Sequence, residues 1–210
     1  MKSCFLDYSI AYCSSEDPRF PISSIQSATI RSSGWQSDAN PLYPVYFVVE
    51  RGLFIGTSET EFSPKATMNR GMLATVLYRM AGEPEVQFSP IFGDVKEGSW
   101  YAPGVIWAAQ SGVISSETED CKPLENLTRQ EIAVMLYNYA TWRGIDTSER
   151  GDLSGMSDSD QISEWALDAM SWNVAKGIFI GTGESIKPLD TTNRAEVATV
   201  LMRFDALFSQ

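Results

Sequence analysis

Three arginines at matching positions are the residues in this sequence best suited to bind a charged ligand. Arg70, Arg129 and Arg194 each follow an Asn or Thr that can cap a helix, and they are spaced by 59 and 65 residues. Each is expected one residue inside a helix start, where free N–H groups and the positive dipole end favour an anion. A guanidinium there can add a bidentate bond to a carboxylate. The pattern predicts repeated anion binding.

The helices that position these arginines carry strong start signals. Thr128-Arg129-Gln130-Glu131 has the form of a capping box, Asn193-Arg194-Ala195-Glu196 repeats it, and Asn69 keeps the cap without the acid. Apolar residues then recur at helical spacing, which predicts one buried stripe in each helix. The stripes are Leu73, Val76, Leu77 and Met80; Ile132, Met135, Leu136 and Tyr139; and Val197, Val200, Leu201 and Phe204.

A second set of landmarks has nearly the same period. Gly52, Gly112 and Gly177 are spaced by 60 and 65 residues, and each is expected just beyond the end of an earlier helix. Those earlier helices are predicted at 42–51, 100–110 and 162–176. A helix-loop-helix unit of this length cannot bury its own stripe, but three units packed together can. The sequence therefore predicts an all-α fold of three repeats around one shared core.

These landmarks divide the chain into five segments. We expect repeats at 35–82, 91–143 and 156–208, the first with a degenerate start. Residues 144–155 are polar and contain glycine, so we interpret them as a linker. Residues 1–34 lack sustained periodicity, and we interpret them as a tail or the remnant of an upstream region.

Composition excludes several classes of function. The 210 residues include no histidine, which removes Ser-His-Asp and Cys-His catalysis and His-containing zinc sites. Cys4, Cys13 and Cys121 form no CxxC pair and cannot build a disulfide framework, although Cys4 and Cys13 could bridge in an oxidising compartment. We therefore expect no catalytic residue, no metal and no cofactor.

The charge balance and the hydropathy exclude two kinds of partner. The net charge of −11 argues against nucleic acid, which requires a dense basic surface. No apolar run approaches the roughly 20 residues that span a bilayer, so membrane insertion is not expected. Asp7 interrupts the apolar start of the chain, and we do not expect a signal peptide there.

Taken together, these motifs resemble the S-layer homology domain, a module that anchors bacterial surface proteins to the cell wall. The resemblance rests on Phe92-Gly93-Asp94-Val95, on Trp100-Tyr101-Ala102 with Val105, and on the two boxes at 128–131 and 193–196, which are similar to the family's Thr-Arg-Ala-Glu. It covers residues ~35–208. It implies a pseudo-three-fold assembly whose grooves between repeats bind a secondary cell-wall polysaccharide non-covalently, typically one ending in pyruvylated N-acetylmannosamine. The implied location is the cell surface.

The resemblance turns several residues into candidate glycan contacts. Arginine can bind a carboxylate, a tryptophan face suits the apolar side of a sugar ring, and a Gly-Thr loop lets backbone donors approach a ligand. The candidates are Arg70, Arg129, Arg194, Asp94, Asp158, Trp100, Trp165, Gly56, Thr57, Gly181, Thr182 and Gly183.

The copies are not equal. The first has Asn40 where the others have Trp100 and Trp165, and the middle copy has Ser116-Glu117 in place of Gly-Thr. Because that acid would repel an anion, the groove built on Arg129 is expected to be the weakest. Arg70 and Arg194 are the favoured contacts.

Other roles for these residues stay open at this point. The arginines can be solvated or can pair with an acid of the next unit. The two aspartates can cap the turn into the first helix of their repeat, and the two tryptophans can pack in the core. Cys121 aligns with Phe62 and Ile186, so it is expected to be a small buried hydrophobe. Trp107 and Trp172 align with Phe47, an apolar set, and we expect them in the core.

Two other classes of function remain. A protein-interaction or lattice-forming scaffold could keep the fold and lose sugar recognition. A glycosidase would need two carboxylates, one with a raised pKa, and no acid here lies in an apolar stretch that would raise it.

Overall fold

In a computed structural model of the chain, residues 42–57 and 61–208 are described. This part contains six α-helices and three short 3₁₀ helices, and no β-strand beyond isolated bridges. The all-α prediction is confirmed. No helix of the described residues is long and apolar enough to span a bilayer. The α-helices are α1 Tyr43–Glu50, α2 Arg70–Met80, α3 Ala102–Gln110, α4 Arg129–Trp142, α5 Leu167–Ala175 and α6 Arg194–Asp205; the 3₁₀ helices are Ser159–Gln161, Glu164–Ala166 and Ala206–Phe208.

The predicted caps of the three longer helices are confirmed. Asn69 accepts a hydrogen bond from the Met72 N–H at 2.8 Å and begins α2. Thr128 and Asn193 form complete capping boxes with Glu131 and Glu196 at the starts of α4 and α6. These boundaries were predictable because a cap depends only on residues within one turn.

The earlier helices begin later than predicted. The helix predicted from Trp100 starts at Ala102, with Pro103 in its first turn. The helix predicted from Ile162 starts at Leu167, after two 3₁₀ turns. Trp100 and Trp165 therefore lie outside the α-helices, and they are 56% and 60% exposed. The alternative in which these two tryptophans pack in the core is therefore wrong.

The helices pack in a cyclic order. The second helix of each unit contacts the first helix of the next: α2 packs on α3, α4 on α5, and α6 returns to α1. Helices α2 and α3 lie very close together at Gly104 of α3, where an added Cβ would lie 2.7 Å from the Thr75 Cα of α2. Only glycine permits this spacing.

Backbone hydrogen bonds close the same ring. We call 42–82, 91–143 and 156–208 the first, second and third units. The first two N–H groups of each second helix donate to carbonyls in the loop of the next unit. They run from Arg70 and Gly71 to Glu125 and Pro123, from Arg129 and Gln130 to Asp190 and Pro188, and from Arg194 and Ala195 to Ala66 and Pro64. The three arginines therefore occupy equivalent positions around a pseudo-three-fold arrangement.

One core fills the ring. Trp107 and Trp172 are buried in it, as predicted, and so is Cys121. The segment interpreted as a linker also packs against the body. The Gly151 N–H donates to the Ser171 carbonyl, and the Trp172 Nε1–H donates to the Asp146 carbonyl.

Candidate functional site: the grooves between units

Each of the three arginine side chains crosses to the loop of the next unit. In all three cases the guanidinium donates to the carbonyl of one equivalent residue: Cys121, Ile186 or Phe62. Arg70 Nη1 donates to the carbonyls of Cys121 at 2.8 Å and Lys122 at 3.0 Å. Arg129 Nε donates to the carbonyl of Ile186 at 2.8 Å. Arg194 donates to the carbonyl of Phe62 at 2.9 Å through Nε and to that of Ile55 at 2.8 Å through Nη2.

This crossing corrects the predicted partners of the arginines. Sequence reasoning combined each arginine with the Gly-Thr loop of its own repeat. In the structure the Ser116-Glu117 loop belongs to the unit that Arg70 contacts, and the Gly181-Thr182 loop to the unit that Arg129 contacts. Glu117 therefore lies in the unit that Arg70 contacts, so the reason given for doubting the groove of Arg129 does not apply to it.

The expectation of free N–H groups at the helix starts is also wrong. The first two N–H groups of α2, α4 and α6 donate to carbonyls of the next unit, and the third is bonded to the capping side chain. Because these donors are occupied, the first three N–H groups of these helices are not available to an anion.

Asp94 and Asp158 fasten the loops that the arginines contact. Asp94 accepts from the Cys121 and Lys122 N–H groups at 2.9 and 2.7 Å, and Asp158 makes the equivalent bonds to Ile186 and Lys187 at 2.9 and 2.8 Å. Neither carboxylate caps the first helix of its unit, so that alternative is wrong. The backbone of Cys121 or Ile186 thus donates its N–H to a carboxylate and accepts a hydrogen bond from a guanidinium at its carbonyl.

The chemistry of these aspartates fits a fastening role. Lys122 and Lys187 have left-handed backbones, with φ of 54° and 53°, and the aspartates hold their N–H groups in that strained conformation. Burial acts to raise the pKa of Asp158, but hydrogen bonds from Ser185, Ile186 and Lys187 outweigh it and lower the pKa. Both carboxylate oxygens of Asp158 accept hydrogen bonds from the loop, so this side chain holds the loop in place.

The arginines differ in their counter-ions. Arg70 forms an ion pair with Glu131 of the next unit, with 2.5 Å between Nη2 and Oε1. This was one of the roles left open for it. Burial lowers the pKa of Arg129, and the nearby carboxylates of Glu196, Asp190 and Asp158 oppose that shift.

Arg194 has no such carboxylate. The position equivalent to Glu131 and Glu196 is Met72, and no acid of the described residues lies within 4 Å of the Arg194 guanidinium. The residue is only 5% exposed, and its guanidinium lies over the rings of Phe54 and Phe62, 4.9 and 4.7 Å from their centroids. Burial lowers its pKa to about 10. Arg194 is a buried cation stabilised by carbonyls and π faces.

Arg194 borders a cavity of about 430 Å³, which we call the first groove. It collects candidates from all three units. Arg194 comes from the third unit, Trp100 from the second, and Gly56 and Thr57 from the first. The cavity is also lined by Met72, Thr75 and Arg79 of α2. The groove thus combines two cations, an exposed indole, a hydroxyl and a glycine.

Arg79 is a groove residue that sequence reasoning missed. It donates to the Leu53 carbonyl at 2.9 Å, and its Nε lies 3.8 Å from the exposed carboxylate of Glu83. Burial lowers its pKa. A signal was present, because the repeat places Arg203 at the same position in the third unit and Asn138 in the second.

We call the place where Arg70 meets the second unit the second groove, and the place where Arg129 meets the third unit the third groove. The loop Gly181-Thr182-Gly183 forms a tight turn, in which the Thr182 N–H donates to the Ser185 carbonyl at 2.9 Å. A Cβ on Gly181 would lie 2.7 Å from that carbonyl oxygen, and Gly183 has φ of 63°. These glycines are required by the turn itself. Trp165 stands exposed at the start of the third unit, as Trp100 does in the second.

Within 42–57 and 61–208, no group of His, Cys, Asp or Glu side chains could hold a metal ion. Burial raises the pKa of the Cys121 thiol to about 11, so this cysteine is a protonated core residue at neutral pH.

Comparison with known proteins agrees with this geometry. Residues 91–133 and 155–198 match the family model of the S-layer homology domain. The chain is 28% identical over 172 residues to an amylopullulanase of Thermoanaerobacterium thermosulfurigenes, 25% over 165 residues to the S-layer protein sap of Bacillus anthracis, and 27% over 176 residues to a surface-layer 125 kDa protein of Lysinibacillus sphaericus.

These matches cover 80%, 78% and 81% of this chain but only 9%, 20% and 14% of the respective relatives. The shared region is therefore a small module in each relative. Two segments of the chain, residues 91–133 and 155–198, are thus identified as S-layer homology domain repeats.

Proposed function

We propose that this chain is a non-catalytic module that attaches a protein to the bacterial cell surface by binding a cell-wall polysaccharide. Two matches to the S-layer homology domain and two surface-layer relatives support attachment. The amylopullulanase shares only 9% of its length with this chain, which favours a common anchoring module over common catalysis.

We further propose that the first unit is a third, degenerate repeat. The family model matches only the second and third units. Support comes from α1 and α6, which pack as the other helix pairs do, and from the loop of the first unit, which accepts bonds from Arg194 and Ala195 as its counterparts do. The first groove exists only if this unit completes the ring.

The ligand proposed for the first groove is a sugar bearing a carboxylate, such as pyruvylated N-acetylmannosamine at a polymer end. The observation that carries this is Arg194, a buried guanidinium that has no carboxylate partner among residues 42–57 and 61–208 and that borders a cavity of about 430 Å³. A ketal carboxylate would supply the missing negative charge. The exposed face of Trp100 would cover the apolar side of the ring, and the Thr57 hydroxyl is close enough to the groove to bond a sugar oxygen.

A co-sedimentation experiment with purified wall polymer tests this proposal. The wild-type chain should be retained on native polymer and released when the pyruvate is removed with mild acid. Trp100→Ala and Arg194→Gln should both lose retention. Trp100 is exposed, so its truncation leaves the fold intact and covers the case in which Arg194→Gln fails to fold.

The matched control is Arg150→Gln, since Arg150 is a surface arginine paired with exposed Asp168 away from the first groove. It should bind as the wild type does. The proposal would be contradicted if the wild type were not retained at all, or if it were retained equally on polymer with and without pyruvate.

A second candidate function is a scaffold that has lost sugar recognition. It is favoured by the guanidinium groups of Arg70 and Arg194, which already donate to backbone carbonyls. This candidate predicts self-association in light scattering together with no retention on either polymer.

A further inference from the structure

We propose that two copies of this chain exchange their first units at high concentration, so that each copy completes the ring of the other. The partner is a second copy of this chain, and it uses the surface that the first unit covers on α3 and α6. The exchange turns about residues 83–90, which join the first unit to the second. This inference goes beyond the proposed function and does not depend on it.

The helices of one unit find their packing partners in other units. Among the described residues, the extensive contacts between α-helices are those of α2 with α3, α4 with α5, and α6 with α1, and each of them joins two units. Within a unit, α1 and α2 have no described contact of comparable extent. A first unit that leaves its ring therefore loses both of its helix partners, and it regains both only in an equivalent ring.

The ring closes at the contact between the third and the first unit, which we call the seam. Here α6 packs on α1, and Arg51 forms an ion pair with Asp205 at the end of α6. The Arg194 N–H at the start of α6 donates to the Ala66 carbonyl at 2.9 Å. Arg51 and Asp205 are 154 residues apart in the chain. Because no short segment joins the two sides of the seam, the first unit of a second copy makes the same contacts.

The linker of residues 83–90 has the features of a hinge. Glu83 has a left-handed backbone with φ of 50°, which is a strained conformation for a residue with a side chain. The Glu83 N–H donates to the Tyr78 carbonyl at 3.0 Å, and the Pro84 carbonyl accepts from the Tyr78 hydroxyl at 2.9 Å. Both bonds tie the linker to α2 of the first unit, so they move with that unit. Pro84 and Pro90 favour an extended linker, and a strained hinge of this kind promotes exchange.

The linker between the second and third units is fastened to the body instead. The Gly151 N–H donates to the Ser171 carbonyl at 3.0 Å, and the Ser171 hydroxyl donates to the Gly151 carbonyl at 2.8 Å. Arg150 forms an ion pair with Asp168 of α5. Opening this linker would break these bonds, so we assign the exchange to residues 83–90 and keep the second and third units together.

The exchanged dimer contains two complete rings. Each first groove then takes Arg194 and Trp100 from one copy, and Thr57 and Met72 from the other. A short linker holds the first unit next to its own ring at an effective concentration on the order of millimolar. The single chain is therefore the main form in dilute solution, and the dimer forms when chains are unfolded and refolded at about 1 mM.

Complementary charges at the seam test the exchange. Arg51→Asp places two acids at the seam, and Asp205→Arg places two arginines there, so each variant repels its own first unit. In an exchanged dimer of one variant with the other, both seams carry one acid and one arginine. The two side chains are 48% and 18% exposed, so either reversal leaves the core intact.

The two variants are unfolded, mixed in equal amounts and refolded in low salt at about 1 mM, and the dimer is measured by gel filtration with light scattering. Its fraction should be at least about threefold higher in the mixture than in either variant alone, because two ion pairs replace two repulsions. The matched control is the mixture of Arg150→Asp with Asp168→Arg. These two residues stay in one chain when the first unit is exchanged, so mixing should not raise the dimer fraction.

The wild-type dimer supplies a measurement that needs no substitution. After refolding at about 1 mM and dilution to about 1 µM, it should persist for longer than about an hour, because its separation requires the rings to unfold. The inference is overturned if the wild type forms no dimer, if its dimer separates at once on dilution, or if the seam variants gain no more dimer on mixing than the control pair does. Polymer binding plays no part in these measurements, so the proposed function stands or fails separately.

Discussion

The first and second grooves are built from the same parts and differ at few positions. Each has an arginine that crosses from the preceding unit to a loop carbonyl. Trp100 lines the first groove, and Trp165 is the equivalent exposed tryptophan of the third unit. In the second groove Glu131 completes an ion pair, so Arg70 links two units. In the first, Met72 has the place of Glu131, and the partners of Arg194 among the described residues are carbonyls and aromatic rings. Equivalent arginines of the repeat thus differ in their partners while keeping the same bond to the next unit.

The sharpest test of the structural half of this comparison is Glu131→Ala. The change removes half of a capping box and leaves Arg70 without its counter-ion, so we expect a loss of about 2–4 kcal/mol in the free energy of unfolding. Urea denaturation measures it. Glu125→Ala is the control, because the pair of Glu125 with Lys122 is exposed and should cost under about 0.5 kcal/mol. Equal effects of the two substitutions would contradict a linking role for Arg70.

The second test compares the two exposed tryptophans. Trp100→Ala should weaken polymer binding by roughly tenfold, the order of one lost stacking contact, because Trp100 lines the groove that we propose to be active. Trp165→Ala should change it less than about twofold. Both side chains are more than half exposed, so neither truncation should alter folding. Equal losses would place ligand in the second groove also.

The smallest expected effect comes from Asp158→Asn, which acts on the third unit. Its hydrogen bonds lower the pKa of Asp158 in the folded protein, so they stabilise the fold above the ordinary pKa, near 4, and this stability is lost as the pH falls through the lowered value. The substitution should cost about 1–2 kcal/mol at pH 7 and reduce the loss of stability below pH 4. Denaturation at pH 7 and pH 3 measures both.

Binding of pyruvylated polymer at pH 7 supplies the control for Asp158→Asn. It should be unchanged, since Asp158 does not line the first groove. A large loss of binding would show that the third unit holds the ligand.

The sequence predicted those features that depend on neighbouring residues. The starts of α2, α4 and α6 follow from caps at Asn69, Thr128 and Asn193, and burial of Trp107 and Trp172 follows from helical periodicity. Three appearances of one pattern also predicted a shared all-α core.

The features that the sequence missed depend on how units pack. Which loop meets Arg129 is set by the cyclic order of the helices, so the partner of each arginine could not be inferred from its own repeat. Trp100 and Trp165 are exposed because their helices begin two residues after each of them, a boundary shift that reverses burial. That Met72 and Arg194 line one cavity could not be predicted either, because they belong to different units.

The number of ligand sites per chain tests the central claim most directly. Calorimetric titration of the full chain with a short polymer fragment ending in pyruvylated N-acetylmannosamine measures it. We predict one site per chain, unchanged by Trp165→Ala and weakened by Trp100→Ala, because Trp100 lines the first groove. Two or three equivalent sites, or a single site that Trp100→Ala leaves unchanged, would contradict the account.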